Sequence, residues 1–146
     1  IGVVHHLEFP EKAIDKLVQA TKPGGNVLVW LYGYENMRIY VHVLNPLRKA
    51  LFSKAPLPIV RFMSYIPTLL LYTYIRLGIT KLEYFKLLKK LSFTQIQQIV
   101  FDQMLPKTAK YYHKSEALKL LNHKDLHEHK IEWVNECSWS VMATKK

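Results

Sequence analysis

Apolar and polar positions follow one another along the chain in different rhythms, and each rhythm predicts a different element. Residues 1–4 are a short apolar run leading into His5-His6 and then Pro10, which suits the carboxyl end of a buried parallel strand entering a loop. From Pro10 to about Thr21, Ala13, Ile14, Leu17 and Val18 share one helical face, while Glu11, Lys12, Asp15, Lys16 and Gln19 take the other. Pro10 suits a helix start, and the breaker Pro23-Gly24-Gly25 lies just beyond the helix end. Asn26 to Tyr32 is then an almost unbroken run of strand formers, as a central strand covered on both faces requires. Strand, helix and strand with short links predict a βαβ unit in a parallel sheet.

After this strand the rhythm changes. From Glu35 to about Leu105, helical stretches rich in aromatic residues are broken at Pro46, Pro56, Pro58, Pro67, Gly78 and Ser92, which reads as three or four inserted helices. Ser115 to about Asn122 reads as a further short helix, with Ser115 as its cap and Ala117, Leu118, Leu120 and Leu121 apolar. Residues 130–136 and 138–143 alternate with period two through Ile131 and Trp133, then Trp139, Val141 and Ala143, predicting two half-buried strands in an antiparallel hairpin. The expected organisation is an α/β core made of residues 1–34 and 123–146, with a helical insert or lid over residues 35–122.

Composition sharpens this picture in two places. The 146 residues are 49% hydrophobic and 12% aromatic, ample for a core, and carry a formal charge of +10, which favours anionic partners. Residues 35–92 hold ten Lys or Arg against Glu35 and Glu83, a net of +8, so the basic surface belongs to the insert. The most lipid-like stretch, Leu57 to Gly78, is interrupted by Arg61, Pro67 and Arg76. It falls short of the roughly 20 apolar residues of a spanning helix. A single cysteine, Cys137, excludes an internal disulfide; with no secretory pattern at the start, the expected location is cytoplasmic, with peripheral membrane contact through the basic insert as one option.

Gly2-Val-Val-His-His-Leu7, Pro10-Glu-Lys-Ala13, Lys22-Pro-Gly-Gly25 and Val29-Trp-Leu-Tyr-Gly33, in that order and spacing, resemble class I S-adenosylmethionine-dependent methyltransferases. In that family the matching segment covers the end of the fourth strand, the following helix, the turn and the fifth strand. Phe101-Asp-Gln-Met-Leu-Pro106, Tyr111-Tyr112-His113 and Trp133-Val-Asn-Glu-Cys-Ser-Trp-Ser-Val141 look like the end of a bacterial subgroup with a helical insert. The family also closes its parallel sheet with an antiparallel hairpin. The resemblance implies a Rossmann-like sheet, S-adenosylmethionine as cofactor, and methyl transfer to a small-molecule or lipid-like acceptor. The family's Gly-rich loop and acidic ribose-binding residue have no counterpart here, because Gly24-Gly25 follow a helix and precede a strand. The chain therefore reads as the C-terminal part of such an enzyme, expected to be inactive alone.

Ligands of open α/β sheets lie beyond the carboxyl ends of the strands, so Val4, His5 and His6 are candidate cofactor contacts, and Tyr32, a candidate substrate contact, points with Gly33 and Tyr34 toward the same pocket. The alternative for the histidines is to order the loop. Asp102, Gln103, Tyr111 and Tyr112 are candidate substrate contacts and His113 a candidate base, since histidine titrates near neutrality; the alternative packs the tyrosines between insert and core and gives Asp102 a local cap or pair. Asn135, Glu136 and Trp139 divide likewise between substrate contact and a turn beside core packing. His123, His127 and His129 lack the cysteines or HExxH pattern of a metal site and read as a solvated loop. No nucleic-acid module is evident. Two readings from other classes stay open: a non-enzymatic basic helical module docking on anionic membrane, and half of a nucleotide-binding oxidoreductase.

Overall fold

The computed structural model describes residues 2–52, 55–79 and 82–146, and divides into two units: residues 1–38 with 108–146, and residues 39–107. The sequence assigns residues 35–122 to the insert; here residues 35–38 and 108–122 group with the core instead. The fold is mixed α/β.

The first unit opens on a 3-10 turn, Val4–His6, rather than a strand end. Gly2 has a φ of 74°, which breaks an extended run, and residues 2–4 pair with none of the described strands. Ile1, part of the expected strand end, lies outside the described residues. Helix α1, Pro10–Ala20, starts on its proline and buries Ile14 and Val18, as the spacing requires. Its last carbonyls are taken up from outside: Lys145 Nζ donates to Val18 O at 2.8 Å and Thr21 O at 2.7 Å. The following turn needs both glycines. Gly24 has a φ of 73°, and a Cβ on Gly25 would meet Thr21 Cγ2 at 2.8 Å and Lys22 O at 2.9 Å.

Strand β1, Asn26–Gly33, buries Val27, Val29 and Leu31 and leaves Leu28 and Trp30 exposed. It is central in its hydrogen bonding but covered on one face, so the unbroken apolar run overstates its burial. Its parallel partner is not a preceding strand but β2, Tyr111–Tyr112, which follows the second unit in the chain. Helix α7, Lys114–Leu120, then leads to β3, Leu126–Val134, and β4, Ser138–Lys145. Among the described residues the sheet order is β2-β1-β4-β3. β4 runs antiparallel to both β1 and β3, so β1, β2 and β3 share one direction. The expected hairpin is present; Asn135 and Glu136 at its turn have φ of 52° and 56°, the positive values a primed hairpin turn requires. Ile14, Val18, Val29, Leu31, Ala117, Leu121, Val141 and Ala143 make the centre of the core.

The second unit is helical: a π turn at Tyr40–Leu44, then α2, Asn45–Phe52; α3, Leu57–Met63; α4, Tyr65–Leu77; α5, Glu83–Leu88; and α6, Phe93–Met104. Four of the expected breakpoints hold as boundaries. Pro56 precedes α3 and Pro58 sits in its first turn, Gly78 ends α4 in the left-handed region, and Ser92 caps α6 in a reciprocal box with Gln95. Pro46 and Pro67 also sit in first turns, but of helices that follow directly on helical backbone, so neither ends the helical path. Ile75, Leu88 and Ile96 centre this unit's own core. Arg48, buried without an acid, donates to the carbonyls of Met104 and Pro106 and to Asn45 Oδ1, which ties α2 to the end of α6. No helix among the described residues is long and apolar enough to cross a membrane.

Candidate functional site at the end of the central strand

The carboxyl end of β1 gathers most of the chemistry in the first unit. Tyr32 lies on β1 and Tyr34 just past its end, where the Tyr34 N–H donates to Tyr112 O at 3.0 Å. Tyr32 meets the His5 ring at 3.9 Å between centroids and stacks on Tyr111 at 5.4 Å, and His5 in turn meets His6 at 4.2 Å. The register Tyr32↔Tyr111 across the parallel β1–β2 pair brings those two rings together. The histidines are tied down from both sides: His5 Nδ1 lies 3.2 Å from Trp30 O, His6 Nδ1 lies 2.9 Å from Thr108 O, and Lys110 N–H donates to His5 O.

One residue further on, Glu35 organises the mouth. Its Oε1 accepts from the Lys114 backbone N–H at 3.2 Å and lies 3.4 Å from His113 Nδ1; its Oε2 accepts from Trp139 Nε1 at 3.1 Å. Partial burial pushes the carboxyl up, but the hydrogen bonds from backbone, Trp139 and His113 outweigh it and hold it below its ordinary value. Glu35 is therefore a carboxylate. His113 immediately precedes α7, where its backbone N–H donates to Glu116, and this shifts the expected cap from Ser115 to His113. The imidazole packs against Tyr34 at 4.3 Å and is half exposed. With Nδ1 directed at a carboxylate, the bonded tautomer leaves the Nε2 lone pair for a proton.

Gly33 permits this arrangement. A Cβ there would lie 2.3 Å from a Trp133 ring carbon, and Trp133 in turn packs on Trp139, the donor to Glu35, at 4.3 Å. The turn side chain of Asn36 donates to Glu136 O at 2.9 Å, pinning the hairpin tip to the same loop.

The remaining candidates fall in three places. Val4 is in the core and His5 is 2% exposed, so both are used inside the fold. Burial first, and the neighbouring His6 second, push the His5 imidazole down to about 4 against the pull of the Trp30 carbonyl; its Nε2 has no partner. Tyr112 is likewise a core residue, its hydroxyl unpartnered and pushed up to about 12 by burial and by Glu11 and Glu116. Asn135 forms the hairpin turn. Asp102 and Gln103 lie in the last turn of α6, in the second unit, with Asp102 exposed.

His127 and His129 are on β3 rather than in a loop; a bulge between His127 and Lys130 separates them, and His129 Nε2 lies 2.9 Å from Leu121 O. His123 stands between Asp15 at 3.6 Å and Asp125 at 3.7 Å. Among the described residues no group of three such side chains has metal-holding geometry. An open cleft of about 360 Å³, lined in part by Asp15, His123, Asp125 and Lys145, lies at the opposite end of β1, where Asn26 pairs with Thr144.

Of the residues expected to contact S-adenosylmethionine, only His6 stays partly exposed, its ring edge-on to Tyr32 at 5.6 Å. Val4 and His5 supply no accessible contact, so these residues alone make no cradle for the cofactor. Comparison with protein-family models, with curated proteins and with solved structures gives no match.

Proposed function

We propose that this chain forms the acceptor side of an S-adenosylmethionine-dependent methyltransferase that acts on a small-molecule or lipid-like nucleophile. The observation that carries the proposal is the Glu35–His113 pair at the carboxyl end of the central strand, bordered by the aromatic layer of Tyr32, Tyr34 and Tyr111. The sheet supports it as well. A terminal hairpin places its last strand antiparallel against β1, as the resemblance implies, although the parallel strand on the other side, β2, follows β1 in the chain where the resemblance implies a preceding strand.

The cofactor of this class supplies an electrophilic methyl group. This chain's residues act on the other reactant. Glu35, fixed by Lys114 N–H and Trp139 Nε1–H, orients the imidazole of His113, and Nε2 takes the proton as the acceptor's oxygen or nitrogen attacks. Tyr32, Tyr34 and Tyr111 hold the acceptor by its apolar part. Placement of the nucleophile contributes much of the rate in such a transfer, which fits a mouth richer in packing surfaces than in charged groups.

Calorimetric titration of the protein made from its whole reading frame, with S-adenosylmethionine and separately with NAD, tests the proposal. Binding of the first and not the second supports it. A folded protein that binds NAD turns the assignment to a nucleotide-dependent oxidoreductase, and one that binds neither overturns the enzymatic reading.

A further inference from the structure

Helices α3 and α4 are joined through Ser64 alone, whose backbone is itself helical, so residues 57–77 present continuous faces. Val60, Ser64, Thr68, Leu71 and Ile75 fall on one of them by three- and four-residue spacing; Leu71 and Ile75 belong to the unit's core and the other three are buried. This inward face is partly polar. Ser64 Oγ accepts from Gln97 Nε2 of α6 at 2.7 Å, and Thr68 Oγ1 donates to Ser64 O at 2.7 Å.

The opposite face is the apolar one. Ile59, Phe62, Ile66, Leu69, Leu70 and Leu77 follow the same spacing half a turn away, and Phe62 is 74%, Leu70 69% and Leu77 69% exposed. An ordinary surface helix turns its large apolar residues inward, so this inversion calls for an apolar partner. Charge decides which. Arg61 and Arg76 flank the stripe and are exposed, and Lys49, Lys86, Lys89, Lys90 and Lys107 are exposed in the same unit, against Glu83 and Asp102 as its described acids. An apolar stripe flanked by cations, on helices too short and charged to cross a membrane, matches the surface of an anionic bilayer, where aliphatic and Phe side chains enter the acyl boundary and Arg and Lys meet headgroups.

We infer that the α3–α4 face of the second unit docks on anionic lipid surfaces, lying in the interface without spanning it. The inference concerns this unit only and stands whether or not the first unit transfers a methyl group. The protein should sediment with phosphatidylcholine vesicles containing phosphatidylglycerol, and about tenfold or more weakly with phosphatidylcholine alone or in high salt. Phe62→Glu combined with Leu70→Glu should cut the association roughly a hundredfold while leaving thermal melting unchanged, because both side chains are exposed. Three outcomes overturn the inference: no association with either vesicle, equal association with both, or association unchanged by the double substitution in a folded protein. A dimer in sedimentation velocity that the same substitution dissolves, with no vesicle binding, would assign the face to a second copy and overturn it too.

Discussion

Two side chains set the chemistry of the site, and they make separable predictions. His113 is half exposed and outside the core, so His113→Gln should leave melting unchanged and lower kcat by roughly 10²–10³ if it removes the acceptor proton. Steady-state kinetics with any identified acceptor checks this, and activity within twofold of the parent would exclude the role. Glu35 acts through His113 and is a positioning residue. Glu35→Gln keeps an acceptor for Lys114 N–H but removes the charge opposite the imidazole, so kcat and its pH profile should change while KM for the acceptor stays nearly constant.

His5 is a different case, because its role is in stability. Its Nδ1 is matched to the Trp30 carbonyl, so a second proton would sit on a buried, unpartnered Nε2. The imidazole titrates at about 4 in the fold against 6.5 ordinarily. Between those values the unfolded chain binds more protons, so stability is fully present above about pH 6.5, falls as the pH drops, and stops falling from this cause near pH 4. The total is on the order of 3 kcal/mol at most. Denaturant titrations at stepped pH should show that slope in the parent and lose it in His5→Phe. A slope that persists in the variant would assign it to other groups.

Elements were legible in the sequence where a rhythm ran long enough to be read. α1 and the β3–β4 hairpin each keep one periodicity between breakers; α1 forms close to the expected bounds, while β3 starts at Leu126, four residues before the expected alternation, and takes in His127 and His129. β2 is only two residues, too short to show any period, so the parallel partner of β1 was sought upstream at residues 1–4, where a 3-10 turn forms instead. Of the site, Tyr32 is expected from its place at a strand end and His6 from a strand end that does not form, whereas Tyr111 and His113 are expected from the polar, aromatic run before the hairpin and from the resemblance. Glu35 is not, because the change of rhythm there makes it the first residue of the insert. Its signal was present, since it is one of two acids in a stretch carrying ten cations and directly follows the strand.

The hairpin turn offers a test at this scale. Asn135 tolerates a positive φ, whereas Glu136 at 56° carries a side chain the conformation disfavours. Glu136→Gly should raise the denaturation free energy by about 0.5 kcal/mol, the relief of strain being offset in part by the freer unfolded chain. A lowered denaturant midpoint would show instead that the Glu136 side chain contributes more than its backbone costs.

At the scale of the whole molecule, the described residues form two hydrophobic cores, one around Leu31 and Val141 and the other around Ile75, Leu88 and Ile96. A cooperative unit of unfolding follows its own core, so each is expected to melt as a unit with its own midpoint. The sequence provides the probes. Its three tryptophans, Trp30, Trp133 and Trp139, all lie in the first unit, while most of the helical residues lie in the second. Tryptophan emission therefore follows the sheet, and ellipticity at helical wavelengths follows mainly the second unit. Denaturant curves recorded by the two probes should not coincide. Arg48→Met should move only the ellipticity curve, by about 2 kcal/mol, since it strips the Met104 and Pro106 carbonyls of a buried donor. Superimposed curves that shift together in this variant would show one cooperative molecule, in which a change inside the helical unit reaches the Glu35–His113 site through folding as a whole.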